Sequence, residues 1–198
     1  WSKARHVVRT EDFDQVEISS RAALRTWLEA NHERETSVWL VTFKKHVDEW
    51  YVSREEVLDE LLCFGWIDGV RRKLDADRTM QLVGPRRAQH WARSYKERAD
   101  RLQREGLMAP AGLAAIEASK ASGLWTFMDD VDALIEPPEL QEALAHHAGA
   151  RTGFDAFPAS TRRFALRWIK LAKTPETRAR RVEETARRAA RGEKVPGA

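Results

Sequence analysis

The sequence predicts an α+β protein, with a small antiparallel sheet and helices in its first half and a helical bundle in its second. Three observations carry this. Short runs of β-forming residues bounded by turn residues occur only before Pro85. After Pro85 the apolar residues recur at helical spacing. The chain has 198 residues, 42% of them apolar and 33% charged, which suits one domain or two small, closely joined ones and excludes a disordered or collagenous chain.

Ser20 is placed to cap a first helix whose inner stripe is Ala23, Leu24, Trp27 and Leu28. Residues 38–43, Val-Trp-Leu-Val-Thr-Phe, form a continuous run of β-formers and read as a buried strand. Ser53-Arg54-Glu55-Glu56 is a capping box ahead of a helix with Val57, Leu58, Leu61 and Leu62 inside, which should stop near Gly65. Residues 69–74 and 79–83 read as two strands joined across Asp75-Ala76-Asp77-Arg78.

Beyond Pro85, Trp91, Tyr95, Ala99 and Leu102 define a helix ending at Gly106. Pro110 opens another, with Leu113 and Ile116 inward and Gly123 closing it. Pro137-Pro138 starts a third that carries Leu140 and Leu144 and ends near Gly149. Ser160 is the expected cap of a fourth, with Phe164, Trp168 and Leu171 on one stripe. Thr174-Pro175 opens the last, where Ala179, Val182, Ala186 and Ala189 make a thin seam among arginines. The expected organisation is a small α+β part over residues 1–90 and a helical part over 91–198, packed as one unit.

Composition narrows the function classes. The longest apolar stretch, residues 61–67, falls far short of the roughly 20 residues a spanning helix needs, so membrane insertion is not expected. No basic-then-apolar leader opens the sequence. The single cysteine excludes internal disulfides and cysteine-based zinc sites and fits a reducing cytoplasm. Formal charge is +8 over residues 160–198 and −5 over residues 1–159. A basic tail on an acidic body permits an acidic protein partner but lacks the domain-wide excess of a nucleic-acid binder. No aromatic residue accompanies the arginines after Trp168, so base stacking is not expected, and pairs such as Glu184 with Arg188 should neutralise part of the charge.

The densest information lies in Cys63-Phe64-Gly65-Trp66-Ile67-Asp68-Gly69-Val70-Arg71-Arg72, with Gly84-Pro85-Arg86-Arg87 and Trp91. A helix ends, the chain turns through glycine, and a strand begins with Asp68 at its mouth. Strict alternation would put Asp68, Val70, Arg72 and Leu74 on one face and Arg71 and Lys73 on the other. The second hairpin strand returns Arg86 and Arg87 beside that mouth. Guanidinium groups beside indole walls suit a planar or anionic ligand, so Trp66, Asp68, Arg71, Arg72, Arg86, Arg87 and Trp91 are the candidate binding residues. A structural pairing of Asp68 with an arginine, the tryptophans being core, explains the same residues.

These blocks, with residues 106–116 and 168–184, resemble the bacterial family labelled YdeI/OmpD-associated, or bacteriocin-protection. The likeness runs from about Trp39 to Arg191. It implies a compact α+β protein with a characteristic helical region at about 137–192, and a protective or stress-related role. Where the family pattern has a serine after the tryptophan and an asparagine three residues on, this chain has Ala92 and Tyr95.

The remaining candidates read as structural. Cys63 sits between Leu62 and Phe64, where a thiol behaves as a small hydrophobe. The histidines, His6, His32, His46, His90, His146 and His147, contain no pair at i, i+4, and no metal is expected. Asp129-Asp130-Val131-Asp132 suits a helix start better than a magnesium site. No dinucleotide, Walker, esterase or zinc-protease motif is present, so no cofactor is expected. The leading expectation is a cytoplasmic binder of a small aromatic or anionic molecule. Its rivals are an enzyme using Asp68 as proton acceptor, and an interaction module using the basic last helix.

Overall fold

A computed structural model describes residues 13–197; His6 lies outside them. Among the described residues the chain is α+β, with a sheet and helices in the first half and helices without strands in the second. The described residues group into two compact units: those up to His90 together with Ser94–Trp125, and Trp91–Arg93 together with those from Thr126 onward. The two helices that follow residue 93 thus group with the sheet. Among the described residues no helix is long and apolar enough to cross a membrane.

Among the described residues the first unit holds four strands, β1 (Gln15–Glu17), β2 (Val38–Phe43), β3 (Trp66–Lys73) and β4 (Arg78–Pro85), in the order β1-β2-β4-β3. β3 and β4 form the expected hairpin, and the carboxylate of Asp75 accepts from the backbone N–H groups of Asp77 and Arg78 to fix its turn. The sheet is mixed rather than purely antiparallel, because β1 runs parallel to β2. A parallel pair needs a crossover, and α1 (Arg21–Asn31) supplies it. Three residues, Gln-Val-Glu, are too few to show a period, which is why β1 carries no sequence signal.

Ser20 caps α1, accepting from the Ala23 N–H at 3.1 Å. The capping box forms at the start of α2 (Arg54–Cys63), where the Ser53 N–H donates to Glu56 at 2.9 Å and the Glu56 N–H donates back to the Ser53 hydroxyl. Leu24, Trp39, Phe43, Leu61 and Leu62 are all buried, as their places on apolar faces require. α3 (Arg93–Arg104) and α4 (Pro110–Ala121) complete this unit. In α4 the inward stripe is Gly112, Ile116 and Ser119, leaving Leu113 at 39% exposure instead of inside. The register follows from packing: a Cβ on Gly112 would stand 2.2 Å from the Cys63 carbonyl oxygen, so glycine alone lets α4 approach α2 there.

The second unit contains α5 (Asp129–Asp132), α6 (Pro138–His146), α7 (Ala150–Asp155), α8 (Ala159–Lys170) and α9 (Pro175–Ala190). Leu140, Leu144, Phe154, Ile169, Val182 and Ala186 are central to its core. α7 is an extra short helix after Gly149; a Cβ on Gly153 would stand 1.9 Å from the Ala189 carbonyl oxygen, so α7 seats on α9 at that glycine. α8 begins two residues earlier than expected, with Pro158 rather than Ser160 in the capping position, and buries Thr161, Ala165, Leu166 and Ile169. Phe164 and Trp168 flank that stripe, while Leu171 is 39% exposed. Thr174 caps α9 as expected, accepting from the Thr177 N–H at 3.2 Å, but Ala179 is exposed. The aspartates occupy the first turn of α5, whose N-cap is Met128, and Asp130 pairs with Lys170.

Candidate functional site

β3 does not alternate strictly. Asp68 pairs with Val83 but Arg71 pairs with Gln81, so one extra residue of β3 bulges between them. The bulge exchanges the faces of every residue beyond it. Arg71 therefore shares a face with Asp68, Gln81 and Val83, and Arg72 is turned to the other face, its guanidinium 5.3 Å from the Trp39 ring centroid. That reverses the expected grouping of Asp68 with Arg72.

Asp68 is half-buried and uses both carboxylate oxygens: Oδ1 accepts from the Tyr95 hydroxyl and Oδ2 from Gln81 Nε2 at 3.0 Å. The Arg86 guanidinium lies 5.2 Å over the Tyr95 ring and donates to the Gln89 carbonyl at 3.3 Å. Its backbone N–H donates to Gly65 O at 2.9 Å, tying the end of β4 to the turn before β3. Burial pulls the Arg86 guanidinium down to about 10, against the attraction of Tyr95 and Asp68. Burial and then the hydrogen bond to Asp68 push the Tyr95 phenol well above its ordinary range.

The other expected residues disperse. Trp66 is a core residue, 1% exposed, donating its indole N–H to the His32 carbonyl at 3.0 Å and meeting Trp27 edge-to-face. Arg71 donates to the Thr79 hydroxyl at 2.9 Å, and Arg87 to the Glu35 carbonyl at 2.5 Å. Trp91 is buried and groups with the second unit. Asp68 and Arg86 are the expected pair that the fold brings to one place, through Tyr95. Cys63 is buried, and burial pushes its thiol up to about 11, so it is not a thiolate near neutral pH.

Sequence reasoning missed a group of charges beside this network. Asp59 and Glu60, on α2, are 6% and 2% exposed. Glu60 accepts from Arg21 at 2.7 Å and from Arg25 at 3.0 Å. Asp59 accepts from Arg101 at 2.6 Å and from Arg98, which also reaches Glu55. The available signal was the spacing of Ser94, Arg98 and Arg101 on one side of α3, opposite Glu55 and Asp59 at i, i+4 on α2. Two neighbouring depressions open here. One, about 350 Å³, is lined by Arg54, Glu55, Leu58, Ser94, Tyr95 and Arg98. The other, about 340 Å³, shares Glu55, Ser94 and Arg98 and adds Glu97, Arg101 and Arg104. Arg54 carries no ion pair among the described residues.

Residues 16–115, just over half of the chain, match the family model described as a domain of unknown function, DUF8412. The chain belongs to the DUF8412 family. The DUF8412 segment includes the whole sheet from Val16 onward, Asp68, Tyr95 and the arginines of both depressions. Residues 133–192 match a second family model, described as Bacteriocin-protection, YdeI or OmpD-Associated. That likeness, expected from about Trp39 onward, is thus found in the helices of the second unit, the first half falling under DUF8412. No curated protein and no solved structure matches the chain.

Proposed function

We propose that the first unit binds a small, multiply charged anion in the depressions between α2 and α3, and that holding this molecule is a protective role exercised in the cytoplasm. One observation carries the reading: Tyr95, fixed from behind by Asp68 and Arg86, lines a depression together with Arg54, Arg98 and Ser94. Guanidinium groups offer paired N–H donors that match carboxylate or phosphate oxygens. Arg54 brings an uncompensated charge, and Arg98 brings one now shared between exposed Glu55 and buried Asp59. An anion entering the depression replaces Glu55 at Arg98 while Asp59 holds the guanidinium in place. Ser94 adds a hydroxyl, and Tyr95 a ring wall for an apolar portion. The second unit's match to a bacteriocin-protection model supports the protective role, and the single, buried cysteine supports the reducing compartment.

Calorimetric titration of the full chain with citrate and with inorganic phosphate tests this. Saturable binding is expected, weaker at higher salt. Arg54→Gln, at an exposed position, should weaken it by about 1.5–3 kcal/mol, the worth of a charged hydrogen bond. Absence of saturable heat with either anion, or binding indifferent to Arg54→Gln, overturns the proposal.

A further inference from the structure

The second unit carries a cavity of different character. Its floor is Val131, Leu166 and Ile169, all buried, and its lip is Ile135, which is 61% exposed. The space is about 120 Å³ and is partly open to solvent. An engineered apolar cavity of about 150 Å³ takes up benzene, so this one is of the size for a single small ring or a branched alkyl group.

Two cations, Lys170 and Arg178, stand at its edge, and they differ in what they leave over. Lys170 Nζ is spent on both oxygens of Asp130, at 2.5 and 2.6 Å, so that carboxylate is neutralised where it lines the cavity. Arg178 directs Nε and one terminal nitrogen to a single oxygen of Glu139, at 2.6 and 2.5 Å. The other terminal nitrogen of Arg178 has no partner among the described residues. Arg178 also borders a second, more open hollow of about 300 Å³ beside Pro175, Ala179 and Val182. A guanidinium with donors to spare therefore stands at the rim of a cavity with an apolar floor and a polar edge.

The lip is fixed by an unusual backbone. Just past α5 and its cap Ala133, Leu134 has φ 59°, a left-handed conformation that a leucine seldom takes. The Ile135 N–H donates to Asp130 O at 2.8 Å and the Leu134 N–H to Val131 O at 3.1 Å, closing a Schellman turn. Leu134 packs on the core while Ile135 is left at the cavity mouth.

We propose that this cavity is a binding site for a monocarboxylate with a compact apolar body, aryl or short branched alkyl. The body fills the space over Val131, Leu166 and Ile169, and the carboxylate meets the open N–H donors of Arg178. The site lies wholly within the second unit and is independent of the one proposed between α2 and α3.

The test is a titration of the full chain with phenylacetate and with phenylacetamide, its uncharged counterpart, read on the methyl NMR signals of Val131, Ile135, Leu166 and Ile169. Saturable shifts of these methyls are expected, with phenylacetate binding about tenfold more tightly, as one charged hydrogen bond provides. Arg178→Gln should bring the two affinities together, and Arg178→Lys, which keeps the charge and the pair with Glu139, should keep part of the difference. Arg54→Gln should change neither. No saturable methyl shift, equal affinities in the wild-type chain, or a preference that survives Arg178→Gln would each overturn the assignment.

Discussion

The Tyr95 hydroxyl donates to Asp68 Oδ1, tying the first turn of α3 to the mouth of β3. Gln81 satisfies the other oxygen, and Arg86 covers the phenol ring, so each member of the network holds the next. Tyr95→Phe removes one donor and keeps the ring. It leaves a half-buried carboxylate oxygen dependent on water, and should lower stability by about 1–2 kcal/mol in chemical denaturation.

The same contact makes a pH prediction. The folded chain holds the Tyr95 phenol above its unfolded value, by burial and the bond to Asp68. Its contribution is then fully present below the ordinary tyrosine pKa of about 10 and is lost as the pH rises above it. In a Tyr51→Phe background, where Tyr95 is the one remaining phenol, ultraviolet titration of the folded chain should give a midpoint above about 10. A midpoint at or below that value would remove the contact from the account.

Glu60 is nearly sealed from water and has two arginine partners on α1. Arg21→Ala or Arg25→Ala leaves it one partner, and each should cost about 1 kcal/mol, since both arginines are one-third exposed already. The double replacement strands a buried charge. It should cost more than the sum of the two by about 1 kcal/mol or more, measured as a double-mutant cycle in urea.

In α9 the arginines are not equivalent. Arg188 pairs with Glu184 at 2.5 Å, as the i, i+4 spacing suggests. Arg181 lies 5.1 Å over the Trp168 ring and donates to the Trp168 carbonyl, whereas Arg180 is exposed. Arg180→Gln should leave stability within about 0.5 kcal/mol, while Arg181→Gln should cost about 1–2 kcal/mol. Thermal unfolding of the two single variants separates them.

What could be read from the sequence was what local chemistry decides. Ser53 and Glu56 are three residues apart, and the hairpin turn is set by Asp75 and its neighbours, so both were legible. The burial of Asp59 and Glu60 was not, because their partners lie on other helices, 35 to 42 residues away, and an isolated helix with Val57, Leu58, Leu61 and Leu62 inside leaves them facing water. The bulge in β3 is one inserted residue with no marker beyond Gly69, yet it decides whether Arg71 or Arg72 shares a face with Asp68. Asp68 and Arg86 were found because a strand mouth and a strand end adjoin in any hairpin. Tyr95, which links them, read as one more apolar position of a helix.

Leu134 sets two effects against each other. In the left-handed position that follows α5 a leucine carries about 1 kcal/mol of backbone strain that glycine would not. Its side chain also packs on the core of the second unit, where burial of a leucine is worth about 1.5–3 kcal/mol when complete. Leu134→Gly relieves the strain and forfeits the packing, so it should destabilise by about 1 kcal/mol. Leu134→Ala forfeits most of the packing and keeps the strain, and should cost about 2 kcal/mol. The expected order of stability is therefore leucine, glycine, alanine, the reverse of the usual ranking of the last two within a helix. Urea unfolding of the three chains decides it: an alanine variant more stable than the glycine variant would mean that position 134 carries no left-handed strain, and a glycine variant above wild type would mean that the leucine contact is worth less than the strain it imposes.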